Sequence, residues 1–141
     1  MKLFIPILLL SLGLPNQAMA KTPSIKVLAL IRKVAHKHHL DTQSLLAIAS
    51  VESNFDQGAR RLNKNHTVDV GMFQVNSVHW DTTCKGLDVL KLRGNLECAA
   101  RIIEGHQGHA ASDKAWLGRY HSKTPSKKLA YYKLLMARMD K

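Results

Sequence analysis

One carboxylic acid stands where the helical pattern of its segment calls for an apolar residue. In the stretch SLLAIASVESNFD, the positions i, i+3, i+4 and i+7 lie on one helix face. These positions are occupied by Leu45, Ile48, Ala49 and Glu52. Desolvation on that face and the partial negative charge of the helix C-terminus both favour the protonated form of Glu52. A carboxyl group of this kind can deliver a proton to a leaving group at neutral pH. The alternative is a structural Glu that extends to solvent or pairs with a nearby Arg or Lys, such as Arg60 or Arg61.

A second group of residues that could take part in chemistry follows in VDVGMFQVNSVHW. It combines an acid, a glycine turn, two amides and apolar side chains, contributed by Asp69, Met72, Phe73, Gln74 and Asn76. Amides that donate and accept hydrogen bonds, beside flat apolar faces, suit a binding site for a sugar chain. Asp69 is either a second carboxyl for glycosidic chemistry or a structural residue that binds the turn backbone. The apolar members could equally belong to the core.

The first 20 residues have the pattern of a secretory signal peptide. They combine Lys2, an apolar run from Leu3 to Leu14, and the motif AMA before Lys21. The run is shorter than the ~20 residues that a membrane-spanning helix needs. We therefore expect a signal peptide over 1–20, one domain over 21–141, and a location outside the cytoplasm.

The expected export bears on the state of the two cysteines. An oxidising compartment favours a disulfide between Cys84 and Cys98, and no other Cys or His lies at zinc-site spacing around them. The histidines His36, His38 and His39 fit a solvated helix end better than a metal site. We expect no metal and no cofactor.

The chain is strongly basic. With one Lys in residues 1–20, the remainder has 20 Lys and Arg against 10 Asp and Glu, a net charge of +10. Such a charge attracts polyanions, for example an anionic membrane surface or an acidic cell-wall polymer. Export and the lack of a nucleic-acid-binding motif argue against nucleic acid. A generally basic, solvated surface is the simpler explanation.

Helical periodicity predicts a mainly α fold with at most a small β-hairpin. The first helix is predicted from an N-cap at Thr22, with Pro23 at N1, to about His39, and the second from Asp41 to about Asn54. The third is predicted to begin at Asn95. Further helices are predicted in SDKAWLGRY and after the Thr-Pro pair at 124–125. Residues 56–70 suit a loop or hairpin, and GMFQVNSVHW suits a tight turn followed by a short helix.

Together these motifs resemble the transglycosylase SLT domain of lytic transglycosylases, in the lysozyme-like superfamily. The resemblance rests on AIASVESNF, DVGMFQVN, NLECAARII and a final Ala-x-x-x-x-Tyr that ends at Tyr120, and it spans residues 25–135. The combination of Glu-Ser with Gly-x-x-Gln-x-Asn in this order is specific. By size and leader, the chain is similar to single-domain members that accompany secretion, pilus or conjugation systems.

The resemblance implies a reaction and a set of residues. Glu52 would protonate the glycosidic oxygen that follows N-acetylmuramic acid and then accept the proton of that sugar's 6-hydroxyl, which leaves a 1,6-anhydro end. The implied catalytic pair is Glu52 and Asp69. The implied substrate-binding residues are Ser53, Met72, Phe73, Gln74, Asn76 and Tyr120.

Two alternatives stay open at this point. The pair Glu52 and Asp69 also resembles that of c-type lysozymes, which would make the protein a hydrolytic muramidase. A non-enzymatic module that binds the wall and assists assembly is the more distant alternative. The chain also departs from the family pattern, because Tyr120 is followed by His-Ser-Lys and Phe73 replaces the commoner Met or Leu.

Overall fold

The computed structural model describes residues 21–107 and 114–140, so the signal peptide expected over 1–20 lies outside the described residues. The long helices are α1 (Ile25–Lys37), α2 (Thr42–Ser53), α3 (Leu92–Gln107) and α4 (Pro125–Met139). The short strands are β1 (Arg60–Leu62), β2 (Val68–Val70) and β3 (Val75–Asn76). Two 3-10 helices cover Ser77–His79 and Lys114–Tyr120. The prediction of a mainly α chain with a small β element is confirmed.

The helices bury one shared core. α1 contributes Ile31, α2 contributes Leu45 and Ile48, and α3 contributes Leu96, all of them 0% exposed. α2 packs against both α1 and α4. Burial of such side chains contributes about 1.5–3 kcal/mol each. These contacts hold α2, which carries Glu52 in its last turn, in the core.

Asp41 and Asn54 set the two ends of α2. The Asp41 carboxylate accepts hydrogen bonds from the backbone N–H groups of residues 43 and 44. At the other end Asn54 adopts the left-handed conformation, with φ 53°, so the helix ends at Ser53 and Asn54 is its C-cap. The expected helix from Asp41 to about Asn54 is confirmed.

The sheet is antiparallel with the order β1-β2-β3. Asp69 in the middle strand lies opposite Arg61 on β1 and Asn76 on β3. The predicted hairpin corresponds to β1 and β2. The third strand was not predicted, because Val75–Asn76 is too short to give an alternating pattern and the following residues form a 3-10 turn.

Two helix starts differ from their predicted positions. α1 is capped by Ser24, whose hydroxyl accepts a hydrogen bond from the Val27 N–H at 3.3 Å, and not by Thr22. α3 begins at Leu92, so Asn95 lies inside the helix and is 0% exposed. The segment that ends at Tyr120 is a 3-10 helix.

His38 is buried, and the expectation of a solvated histidine cluster is wrong for this residue. Its Nε2 lies 2.8 Å from Glu97 Oε2, and its Nδ1 lies 2.9 Å from Glu104 Oε2. Burial raises the pKa of Glu97, but hydrogen bonds from Lys37 and His38 outweigh that effect and hold the pKa below its ordinary value. The cluster ties the end of α1 to α3.

The expected disulfide joins Cys84 to Cys98, with the two Cα atoms 4.9 Å apart. It anchors the loop that precedes α3 to the buried face of that helix. No helix within residues 21–107 and 114–140 is long and apolar enough to cross a membrane.

Candidate active site

Glu52 occupies the last turn of α2, where the chain leaves the helix for the sheet. The side chain is half-buried at the bottom of a cleft. The next residue, Ser53, donates a hydrogen bond from its hydroxyl to the backbone oxygen of Met72 at 2.7 Å. This bond ties the end of α2 to the turn before β3, which fixes the position of Glu52 relative to the sheet.

The environment of Glu52 favours the protonated acid. Burial raises the pKa of this carboxyl from 4.5 to about 7, and the nearby Asp69 adds to the rise. The hydroxyl of Tyr131 on α4 donates a hydrogen bond to Glu52 Oε1 at 2.6 Å, and Arg61 lies nearby; both act in the opposite direction. The balance leaves a carboxyl that can hold a proton at neutral pH and also release it, as a general acid and base requires.

Asp69 is a different kind of carboxylate. Its Oδ2 accepts hydrogen bonds from Arg61 Nε at 3.1 Å, Arg61 Nη2 at 2.8 Å and Asn63 Nδ2 at 3.0 Å. Its Oδ1 accepts one from Asn76 Nδ2 at 2.6 Å. The residue is 5% exposed and ion-paired. These donors occupy most of the lone-pair directions that a nucleophile would use.

The turn between β2 and β3 is built around Asn95 of α3. The Asn95 amide donates to the backbone oxygens of Val70 and Val89 and accepts from the Phe73 N–H at 2.9 Å. Gly71 adopts φ +78°, and a Cβ there would overlap the Asn95 side chain. Glycine is therefore required at 71 for conformation and for space.

Two residues of the predicted motif hold this turn from the cleft side. The Gln74 amide nitrogen donates to the backbone oxygens of Gly71 at 2.9 Å and Ala59 at 3.1 Å. The Tyr120 hydroxyl donates to the Phe73 backbone oxygen at 2.7 Å. Burial and the nearby anionic carboxyls of Glu52 and Asp69 raise the pKa of Tyr120 well above its ordinary value, so the phenol stays neutral.

The cleft has a volume of about 450 Å³, and its lining is mainly polar. Its walls come from the sheet, the hairpin tip, the end of the second 3-10 helix at Tyr120 and the start of α4. A second cavity of about 260 Å³ adjoins it and shares Glu52, Arg61, His121 and Lys127 with it. In the described part of the chain, Glu52 and Asp69 are the carboxyl groups that line these cavities.

The structure separates the predicted site residues into two groups. The residues that line the cleft are Glu52, Asp69, Gln74, Asn76 and Tyr120. The others do not line it: Ser53 is bonded to Met72, and the side chains of Met72 and Phe73 lie in the core with 2% and 0% exposed. The latter two are connected to the site through their backbone atoms, because their apolar side chains fill the space under the turn.

Several residues of the site were not predicted from the sequence. Tyr131 lies 79 positions from Glu52 in an ordinary helical pattern. Arg61 was a candidate partner for Glu52 but pairs with Asp69. Its position opposite Asp69 follows from the hairpin register, which the sequence does not determine.

A raised-pKa acid at the floor of a polar cleft, between helices and a small antiparallel sheet, defines a lysozyme-like domain. Residues 29–111, more than half of the chain, match the model of the Transglycosylase SLT domain, and the chain belongs to this family. It is also similar to "Lysozyme C" of Penaeus merguiensis, with 29% identity over 105 residues. That alignment covers 65% of this chain and 66% of the lysozyme, just under two thirds of the relative's length. No solved structure shows a significant match to the chain.

Proposed function

We propose that the protein cleaves the β-1,4 bond between N-acetylmuramic acid and N-acetylglucosamine in peptidoglycan by lytic transglycosylation. Family membership and the similarity to a lysozyme support an enzyme that acts on peptidoglycan. The observation that carries the choice of reaction is the contrast between the two carboxyls. Glu52 can hold a proton near neutral pH, whereas Asp69 is a buried carboxyl that is ion-paired with Arg61.

In this reaction one carboxyl performs both proton transfers. Protonated Glu52 delivers its proton to the glycosidic oxygen as the bond to the anomeric carbon breaks. The resulting carboxylate then accepts the proton of the 6-hydroxyl of the same N-acetylmuramic acid, whose oxygen bonds to the anomeric carbon. The nucleophile is already held within the substrate, so proximity replaces a protein nucleophile. Tyr131 stabilises the carboxylate form of Glu52 between the two steps.

Asp69 supports the reaction from the wall of the cleft. Its hydrogen bonds orient Asn63 and Asn76, both of which line the cleft. Both amide nitrogens are committed to Asp69 and Thr67, so the amide oxygens are the atoms that could accept hydrogen bonds from the hydroxyl and acetamido N–H groups of a glycan. Its negative charge also favours an oxocarbenium-like transition state. Gln74 and Tyr120 complete the proposed glycan-binding wall. The basic net charge supports retention near an acidic wall polymer.

The second candidate is a hydrolytic muramidase on the same fold. Two observations favour it: Asp69 lines the same cleft as Glu52, and the chain is similar to a lysozyme. In a hydrolase Asp69 would serve as nucleophile or charge stabiliser for a water-dependent reaction.

Mass spectrometry of the products from purified peptidoglycan sacculi distinguishes the candidates. The proteins compared are the chain from residue 21 onward and its Glu52→Gln and Asp69→Asn variants. Transglycosylation predicts 1,6-anhydro products, at least a hundredfold loss in Glu52→Gln and a loss of about tenfold in Asp69→Asn. Reducing-end products with both variants inactive would establish the hydrolase instead. No products from any protein, with retained binding to sacculi, would establish a wall-binding module.

The cellular setting is also part of the proposal. A leader over residues 1–20 would export the chain to the periplasm, where it would open the wall locally for a secretion, pilus or conjugation apparatus. The support is the leader pattern and the resemblance to small single-domain members of the family. Sequencing of the N-terminus of the exported protein, with cleavage after Ala20 expected, tests the first step.

A further inference from the structure

Next to the glycan cleft is a second cavity whose chemistry differs from that of the cleft. Its apolar wall consists of Val51 from α2 and Ala130 and Leu134 from α4. Leu134 is 56% exposed, so its side chain is accessible to a ligand. The cavity therefore suits a ligand that carries methyl or methylene groups.

The same cavity is also positively charged. Lys127 lies in the first turn of α4 and lines both cavities. Among the described residues it has no ion-pair partner, whereas Arg61 is committed to Asp69. Thr124 at the N-cap of α4 makes no side-chain hydrogen bond to the first turn, and that turn contains no acidic residue. The partial positive charge of the helix start thus adds to that of Lys127.

The aromatic floor of the cavity connects it to the acid. His121 and Tyr131 stack with ring centroids 4.9 Å apart and planes inclined by 6°, and the Tyr131 hydroxyl binds Glu52. Burial lowers the pKa of His121, and the positive charges of Arg61 and Lys127 lower it further, so the ring is neutral at pH 7. Any group in this cavity lies beside the bond that Glu52 would protonate.

From this arrangement we infer that the second cavity binds the peptide stem carried by the N-acetylmuramic acid at the scissile bond, with Lys127 recognising a stem carboxylate. The inference deepens the proposed function and rests on it. The stem is joined through a lactyl group to O3 of the same sugar ring whose anomeric bond is cut, so it begins within one ring's width of Glu52. The lactyl group and the first alanine carry methyl groups and an acidic residue follows, which matches an apolar wall followed by a cation. The enzyme would therefore prefer peptide-bearing strands to bare glycan.

The test compares two substrates that differ only in the stem. Glycan strands are assayed with their peptides and after an amidase has removed them, and kcat/KM is measured for both. Lys133 is an exposed lysine on α4 that lines neither cavity, so Lys133→Ala is the matched control for Lys127→Ala. Wild type and control should favour peptide-bearing strands. Lys127→Ala should reduce that preference about three- to tenfold, and Lys127→Glu should reduce it further.

A binding measurement keeps the inference separate from the proposed reaction. The Glu52→Gln variant, with and without Lys127→Ala, is titrated with both kinds of strand. A preference for peptide-bearing strands that depends on Lys127 supports the stem site, even if the wild type cuts neither substrate and the proposed reaction fails. Equal binding of both strands, or a preference that Lys127→Ala leaves unchanged, would overturn it while leaving the proposed function intact.

Discussion

Replacement of Tyr131 by Phe tests how the protein sets the pKa of its proposed acid. The substitution removes one hydroxyl and with it the 2.6 Å hydrogen bond to Glu52 Oε1. The Tyr131 ring is 4% exposed and stacks on His121, and Phe keeps its shape. The change therefore acts on the acid and leaves the packing of α4 against α2 in place.

The direction and size of the effect follow from the hydrogen bond. A bond to an ionised group contributes about 1.5–3 kcal/mol, whereas one to a neutral group contributes about 0.5–1.5 kcal/mol. The carboxylate form of Glu52 thus loses about 1–1.5 kcal/mol more than the protonated form, which corresponds to about one pKa unit. The pKa of Glu52, about 7 in the wild type, should rise to about 8.

The pH dependence of kcat/KM reports this shift. Activity of a general acid falls as the pH rises through its pKa in the free enzyme. We expect the alkaline decline of the wild type near pH 7 and that of Tyr131→Phe about one unit higher. Tyr132→Phe, on the same helix, is the control and should leave the curve in place. An alkaline limb that stays where it is, or moves to lower pH, in Tyr131→Phe would refute the assignment of Glu52 as the acid whose pKa Tyr131 sets.

Two further predictions concern stability. Because the folded-state pKa of Glu52 is raised, the contribution of its protonated form to the free energy of unfolding is complete below pH 4.5 and is lost as the pH rises through about 7. Urea unfolding between pH 4.5 and 8 should therefore show Glu52→Gln gaining about 1–3 kcal/mol of stability relative to wild type. A difference that stays constant with pH would contradict the raised pKa. Asn95→Ala should lower the free energy of unfolding by about 3 kcal/mol or more, because it removes three hydrogen bonds to buried backbone groups. Gly105→Ala, on the open side of α3, should raise it by about 0.5–1 kcal/mol. Equal unfolding midpoints for the Asn95 variant and wild type would remove the proposed role of this amide.

The sequence predicted the elements better than the contacts between them. Helical spacing placed Glu52 on the buried face of α2, because an amphipathic pattern records burial directly. The two-residue strand β3 was missed, since so short a segment has no period to detect. Motif resemblance brought Met72 and Phe73 into the expected binding set, whereas the structure buries both side chains. Resemblance identifies positions in a motif, but it does not state which atoms of a residue serve the site.

The partners of the two carboxyls illustrate the same limit. Asn76 belongs to the recognised motif, and its amide binds Asp69 in the structure. Arg61 reaches Asp69 only because the register of β1 and β2 sets them opposite each other. Tyr131 reaches Glu52 only because α4 packs on α2. Such long-range pairings leave no local signal in a single sequence.

The contact between Glu52 and Tyr131 also bears on the stage of folding at which the site forms. The two residues are 79 positions apart, so the acid acquires its surroundings only after α4 has docked. A chain that folds as it is synthesised, or as it emerges from a translocation pore, exposes α2 long before α4 is available. Until then Glu52 would stay in contact with water and titrate as an ordinary carboxyl. Nascent or truncated chains would consequently lack a proton donor at neutral pH, which restricts the proposed wall-cutting activity to fully folded molecules.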